Sequence, residues 1–425
     1  MTAPVEAAST AGPPAPPARG WDRALDAGRW LVVALVAVRV LALVVLLATG
    51  PDAEGSTVGG DARRYDQIAT AAGVPYADVA IEYPPGSYLV VEAVHGDTLY
   101  ATQVRLGLSQ LACDLAAAAV LWWSFGRRVG VAYLLLGLPF IAFPFLYLRL
   151  DLVSVALAAA GLAVLHRRRD TTGDLVGGAL LALGAVAKLW PAALIPLLVV
   201  ERRWRALAAC LAVGAAAGLA WVGVAGVDGV VQVLSFRGAD GWQVESLTGI
   251  VVHVADPARI HVDGGAWRTG SMPPGARSAL TVLSLATIGL AWWWAGRRRA
   301  AGDDRIGLRY GVAPAAATLA LLVWAPIISP QYVLWLLPAA AVAVARGDRV
   351  LGWLTVAAGV GSTYSLATIV AQIDGAWWST LAIVVRNAVL VAALAHALLV
   401  LAGHGGLGGL WRRLAPRSAP MSERR

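Results

Sequence analysis

The chain has 425 residues, 58% of them hydrophobic and only 14% charged, with a mean hydropathy of +0.67. That composition excludes a soluble globular surface and points to an all-α, polytopic integral membrane protein. The net charge of +8 could suggest nucleic acid, but the basic residues fall in short clusters between apolar runs, the distribution that fixes membrane orientation, so the bilayer and not nucleic acid is the expected partner.

Residues 1–27 begin with a Pro- and Ala-rich stretch that has neither a basic n-region nor a small-residue cleavage site, so they are expected to form a disordered cytoplasmic tail and not a signal peptide. Apolar runs long enough to span follow at 29–49, 102–125, 129–148, 152–166, 207–227, 278–296, 308–327, 331–345, 350–371 and 378–401. The stretch 174–200 is the ambiguous one. Read as two short helices broken around Lys188-Leu189-Trp190-Pro191, it puts Arg202, Arg203 and Arg205 on the same side as Arg127, Arg128, Arg167, Arg168 and Arg169, as the positive-inside rule requires. Proline supports the break by removing a backbone donor. The expected architecture is a helical bundle over residues 28–402 with about 12 segments, both termini cytoplasmic, and a basic cytoplasmic tail over 403–425. Cys113 and Cys210 lie inside apolar segments, where no disulfide is expected.

On the exoplasmic side this topology leaves two large loops, about 50–101 and about 228–277, and short turns near Arg149, Lys188, Ser329 and Asp374. The first loop can supply short helices on the membrane surface, best over 62–72, with Gly73 as a stop and Pro84-Pro85 breaking any later helix. In it Asp61, Tyr65 and Asp66 stand close to Glu82 and Tyr83. On a helix Asp61 and Tyr65 share a face while Asp66 turns away, so Asp61 is either a general base held near apolar surface or the N-cap of the helix it opens.

Arg149 and Asp151 straddle the outer end of a span, fitting either a snorkelling arginine with a capping aspartate or a cation that holds phosphate. Lys188, the single lysine of the chain, sits at the helix break, and a broken helix at membrane depth points to a cavity. It reads as a compact charge for a phosphate or as a snorkelling interfacial lysine. Ser329-Pro330-Gln331-Tyr332 opens a helix whose start can receive an anion, and equally fits an ordinary cap with proline in the first turn. In the second loop Arg237, Trp242, Gln243 and Glu245 mix groups suited to sugar hydroxyls, although Trp242 also fits the interfacial belt. His253, Asp256, His261 and Asp263 are too irregularly spaced for a metal site. Arg39 and Arg386 lie inside apolar spans and each needs a buried partner or a watery cavity.

These pieces together resemble the GT-C-type glycosyltransferases of family 87, polyprenol-phosphate-mannose-dependent α-mannosyltransferases. The resemblance runs through Asp61-x-x-x-Tyr65, Glu82-Tyr83-Pro84-Pro85, Arg149-x-Asp151, Lys188 to Pro196, Arg237 to Ser246 and Ser329-Pro330-Gln331-Tyr332 to Pro338, covering most of residues 28–400. It implies a lipid-linked donor such as polyprenyl-phosphate mannose, a glycolipid or glycan acceptor, and Asp61 as base for an inverting transfer. Lys188 is then the first choice for the donor phosphate, assisted by Arg149, Gln331 and Tyr332, with Arg63 and Arg64 in reserve. Tyr65, Glu82, Tyr83, Arg237, Gln243 and Glu245 would line the acceptor side. No cofactor or metal is expected, because a monophosphate leaving group can be neutralised by lysine and arginine. An arabinofuranosyltransferase using a decaprenyl-phosphate donor would use the same groups. A transporter is the competing class, disfavoured because the candidate groups gather at the outer face and no repeat is evident.

Overall fold

The computed structural model describes residues 20–26, 28–49, 60–141, 144–235, 240–256, 260–263 and 266–409. Among these residues seven helices are long and apolar enough to cross a membrane: Arg29–Ala48, Leu99–Phe125, Trp204–Leu234, Ala276–Ala300, Gly307–Trp324, Arg349–Ala367 and Trp377–Leu401. The shorter apolar stretches Thr171–Ala187, Trp190–Val200 and Pro330–Ala345 stand beside them. Large side chains such as Leu219, 73% exposed, face outward from the long helices, which suits lipid and not water. The chain is a helical membrane protein, and its expected count of about 12 segments goes beyond these seven long helices.

The break within 174–200 is present, at the residues the proline argument selects. The helix Thr171–Ala187 ends at Lys188, whose backbone is extended, and a tight turn Trp190–Leu194 precedes the helix Pro196–Val200. The run 129–148 is also interrupted, into Arg127–Leu136, Leu138–Ile141 and Pro144–Leu148. Proline at 139 and 144 removes amide donors there and explains why one straight helix does not form.

Two expectations need correction. Pro84-Pro85 does not prevent a later helix: Pro85 occupies the first position of the helix Pro85–Val94, where its missing N–H costs nothing. Gly86 of that helix touches the backbone of Ala187 so closely that an added Cβ would stand 2.8 Å away, so only glycine lets the two helix ends meet. The expected all-α chain also contains a small antiparallel sheet between the helices Trp204–Leu234 and Ala276–Ala300, built from β1 (Trp242–Gln243), β2 (Ile260–Asp263) and β3 (Ala266–Thr269) in the order β1-β3-β2. Its register places Gln243 opposite Arg268.

Part of the expected N-terminal tail is also ordered. Trp21–Leu25 forms a short helix whose Trp21 packs edge-on against Trp353, while Asp22 pairs with Arg128 at 2.9 Å and also with Arg349. Residues 1–19 and 410–425 of the two expected tails lie outside the described residues.

The arginines inside apolar spans find carboxylates. Arg39 donates to Asp114 at 2.8 Å and to the carbonyls of Leu35 and Leu134, and Tyr147 donates to the same Asp114 oxygen at 3.2 Å. Arg386 donates to Asn387 and lies 3.7 Å from Glu245. Glu201 is likewise buried, among Arg169, Arg299 and Arg309 at 3.4, 3.3 and 2.8 Å.

Candidate active site

Asp61 lies in the first turn of the helix Gly60–Thr70 with Tyr65 one turn further on, and the Tyr65 hydroxyl is 3.5 Å from an Asp61 oxygen. Asp66 points away to His95, 3.3 Å distant, as helical spacing requires. The helix already includes Gly60, and the Asp61 carboxylate is taken up by an ion pair with Arg149, so side-chain chemistry and not capping occupies it.

Asp61 stands on the wall of a cavity of about 790 Å³. Tyr65, Glu82, Tyr83, Arg149, Lys188, Gln243, Gln331 and Tyr332, all expected at the site, line the same cavity. They arrive from the segment between the helices Arg29–Ala48 and Leu99–Phe125, the turn before the helix Asp151–Arg167, the Lys188 break, strand β1 and the tight turn Pro330–Leu336. Arg237 lies outside the described residues.

Glu245, expected on the acceptor side, is elsewhere. It is buried against Arg386, accepts from Ser365, and its carbonyl accepts from Asn387 at 3.2 Å. A carboxylate that satisfies an intramembrane arginine has a structural task, which accounts for its absence from the cavity wall.

Lys188 is held firmly. Its ammonium is 2.8 Å from Asp151 and lies over the rings of Tyr332 and Trp335, with centroids at 5.1 and 5.8 Å. The same Asp151 oxygen accepts from the Trp335 indole at 2.8 Å, and Trp335 stacks between Tyr332 and Trp190. Helix ends fix the backbone of this group: the Gln110 side chain accepts from the Leu152 N–H at 3.2 Å, and the Ser87 hydroxyl donates to the Ala187 carbonyl at 2.6 Å. Lys188 therefore presents its charge to the cavity from a rigid aromatic bed.

Glu82 is not a free acceptor contact but one half of a bidentate pair, with Arg64 donating to its two oxygens at 3.0 and 2.8 Å. Tyr65 and Tyr83 meet edge to face at 5.6 Å, and burial pushes both phenols well above their usual range, so both remain O–H donors. Burial also raises Asp61 above the ordinary carboxylate value, opposed by the charges of Arg149 and Lys188 and reinforced by Asp151 and Glu82. A carboxylate with raised proton affinity beside two cations can accept a proton from a hydroxyl while an anion is held next to it.

Sequence reasoning left out several groups on the cavity wall. Asp151 reads from the sequence as a candidate cap and as part of the Arg149-x-Asp151 motif, but carries no expected role at the site. Trp335 lies in a run already singled out for its helix start. Arg268, buried on β3 and donating to the carbonyls of Asp263 and Gly241 at 2.9 and 3.1 Å, had no signal, because it reaches the cavity only through strand pairing. Among the described residues no group of three or more His, Cys, Asp or Glu side chains is placed to hold a metal ion.

The sequence profile of glycosyltransferase family 87 matches residues 81–323, more than half of the chain. No curated protein and no solved structure gives a match.

Proposed function

The chain belongs to glycosyltransferase family 87 and is a membrane glycosyltransferase, and from this we propose that it moves a sugar, mannose in our reading, from a polyprenyl-phosphate donor to a glycolipid or glycan acceptor at the exoplasmic face. The observation that carries the reading is the joining of Asp61, Arg149 and Lys188 in one cavity, from three separate parts of the chain. The acceptor hydroxyl oxygen attacks the anomeric carbon and its proton passes to Asp61. The bond from that carbon to the phosphate oxygen breaks with its electron pair, configuration is inverted, and prenyl phosphate leaves with one more negative charge than the donor carried. Lys188 and Arg149 meet that charge, with Gln331 and Tyr332 beside them. The topology that goes with this reading has about 12 segments, both termini cytoplasmic and the cavity outside.

Membranes containing the protein, incubated with radiolabelled polyprenyl-phosphate mannose and candidate glycolipids, are expected to transfer label, and Asp61→Asn membranes are not. Label transferred from the arabinose-bearing decaprenyl phosphate instead would change the sugar and leave the site intact. A cysteine placed at position 60 should react with an impermeant reagent from outside and one at position 168 from inside. The opposite pattern would invert the topology.

A further inference from the structure

If the cavity holds the donor phosphate, Arg149 has two anions to serve. In the structure its guanidinium is on Asp61, the carboxylate that must be available to a hydroxyl proton. A base locked to a guanidinium is a weak one, because the ion pair favours the charged carboxylate over the protonated form. Lys188 has no such conflict, since Asp151 and the two aromatic rings keep it in place.

Resting on that donor-phosphate reading, we propose that Asp61 and the donor phosphate compete for Arg149, so that binding of the lipid phosphate releases Asp61 and makes it a stronger base in the donor complex than in the free enzyme.

Position and charge both support the exchange. Arg149 lies in the short non-helical link between Pro144–Leu148 and the helix Asp151–Arg167, where its side chain can swing between two anions on the same wall. Glu82 is already paired with Arg64, and Asp151 shares its oxygen between Lys188 and the Trp335 indole, whereas Asp61 is the carboxylate that both serves as the base and pairs with a phosphate-facing cation. The cavity lining holds Arg64, Arg149, Lys188 and Arg268 against Asp61, Glu82 and Asp151, so a singly charged phosphodiester brings the wall to balance. The groups that set the charge of Asp61 are Arg149, Lys188, Asp151 and Glu82, with the phenols of Tyr65 and Tyr83 beside it. An arriving phosphate adds a negative charge to that set and withdraws a positive one, and both changes raise the proton affinity of Asp61. By linkage, protonating or neutralising Asp61 must in turn tighten phosphate binding.

Competition makes a prediction that a simple contact does not: removing the charge of Asp61 improves donor binding. Equilibrium binding of farnesyl methyl phosphate, a prenyl phosphodiester with no second ionisation, to the full-length protein in detergent is the measurement. We expect Asp61→Asn to bind it about tenfold more tightly than wild type, the scale of one charge-assisted hydrogen bond. The gain should disappear in an Arg149→Met background and survive in Arg149→Lys. The unaltered protein provides a second reading, with affinity rising as the pH is lowered and Asp61 takes up its proton, and this slope absent in Asp61→Asn. Equal or weaker binding by Asp61→Asn, or a gain that persists without Arg149, would overturn the exchange while leaving the donor class intact. Failure of the diester to bind wild type and variants alike would instead overturn the lipid-phosphate reading itself.

Discussion

Two arginine–aspartate pairs in this molecule look alike on paper and differ in what surrounds them. Arg39 and Asp114 are sealed inside the bundle, with side chains only 1% and 4% exposed, and Arg39 has carbonyl or carboxylate partners on each of its three nitrogens. Arg149 and Asp61 stand on a cavity wall with side chains 22% and 23% exposed. A buried ion pair by itself therefore says little about function, since the desolvated charge must be paired whether or not it has a task. What separates the two is space beside the pair into which another anion or hydroxyl can come.

The largest test of that contrast is Asp61→Asn, which should lower kcat by about 10²–10⁴-fold while leaving the protein folded, the range for loss of a general base. Turnover within a few fold of wild type would remove Asp61 from the mechanism. The pH dependence of the unaltered protein carries a sign. Burial raises the Asp61 pKa, and a base works only when deprotonated, so activity should be lost on the acidic side at a pH above the usual carboxylate range. An acidic limb of kcat/KM at or below that range would contradict the enclosed setting of this carboxylate.

Asp114→Asn probes the sealed pair and should show the opposite profile. Leaving Arg39 buried without its counter-charge is expected to cost about 3–5 kcal/mol of stability, seen as a lower unfolding temperature in detergent. Turnover per folded molecule should stay near wild type. A selective loss of kcat with unchanged stability would mean that Arg39 and Asp114 act on the reaction, and the contrast between the two pairs would fail.

Lys188→Met has an intermediate expected effect. One charge-assisted contact to phosphate corresponds to about 1.5–3 kcal/mol, or roughly 10–100-fold in donor KM, with acceptor KM little moved. Asp151 would be left as an unpaired buried carboxylate, so a stability loss is expected as well. The double variant Lys188→Met with Asp151→Asn separates the two effects: it should recover stability without recovering donor binding. Recovery of both would reduce Lys188 to a structural partner of Asp151.

The frame of the molecule could be read from its apolar runs because lipid demands long stretches of one character, and the Lys188 break could be read because arginine placement and proline agree. Features set by contact between distant segments were not readable. Strands β1 to β3 are two to four residues long, too short for an alternating pattern, and so Arg268 had no route to the cavity on paper. Pro85 looked like a breaker because sequence alone does not say whether a proline ends a helix or starts one. Glu245 reads as an acceptor contact because its carboxylate suits sugar hydroxyls as well as the Gln243 amide does, although the fold sends the two side chains to different partners. Asp61 and Lys188 stood out for the opposite reason, since scarce charge beside apolar runs is conspicuous without any knowledge of packing.

The smallest effect concerns how the rigid side of the cavity is held. The Ser87 hydroxyl donates to the carbonyl of Ala187 at 2.6 Å, the last residue before the break that carries Lys188. Helix ends leave carbonyls without intrahelical partners, and this one is satisfied from the helix Pro85–Val94, which ties the segment bearing Asp61 to the segment bearing Lys188. Ser87→Ala removes a neutral hydrogen bond worth about 1 kcal/mol, so donor KM should rise by no more than roughly fivefold. Ser87→Thr, which keeps the hydroxyl, should restore it. If Ser87→Ala lowered kcat as strongly as Asp61→Asn, the hydroxyl would belong with the reacting groups and not with the scaffold that positions them.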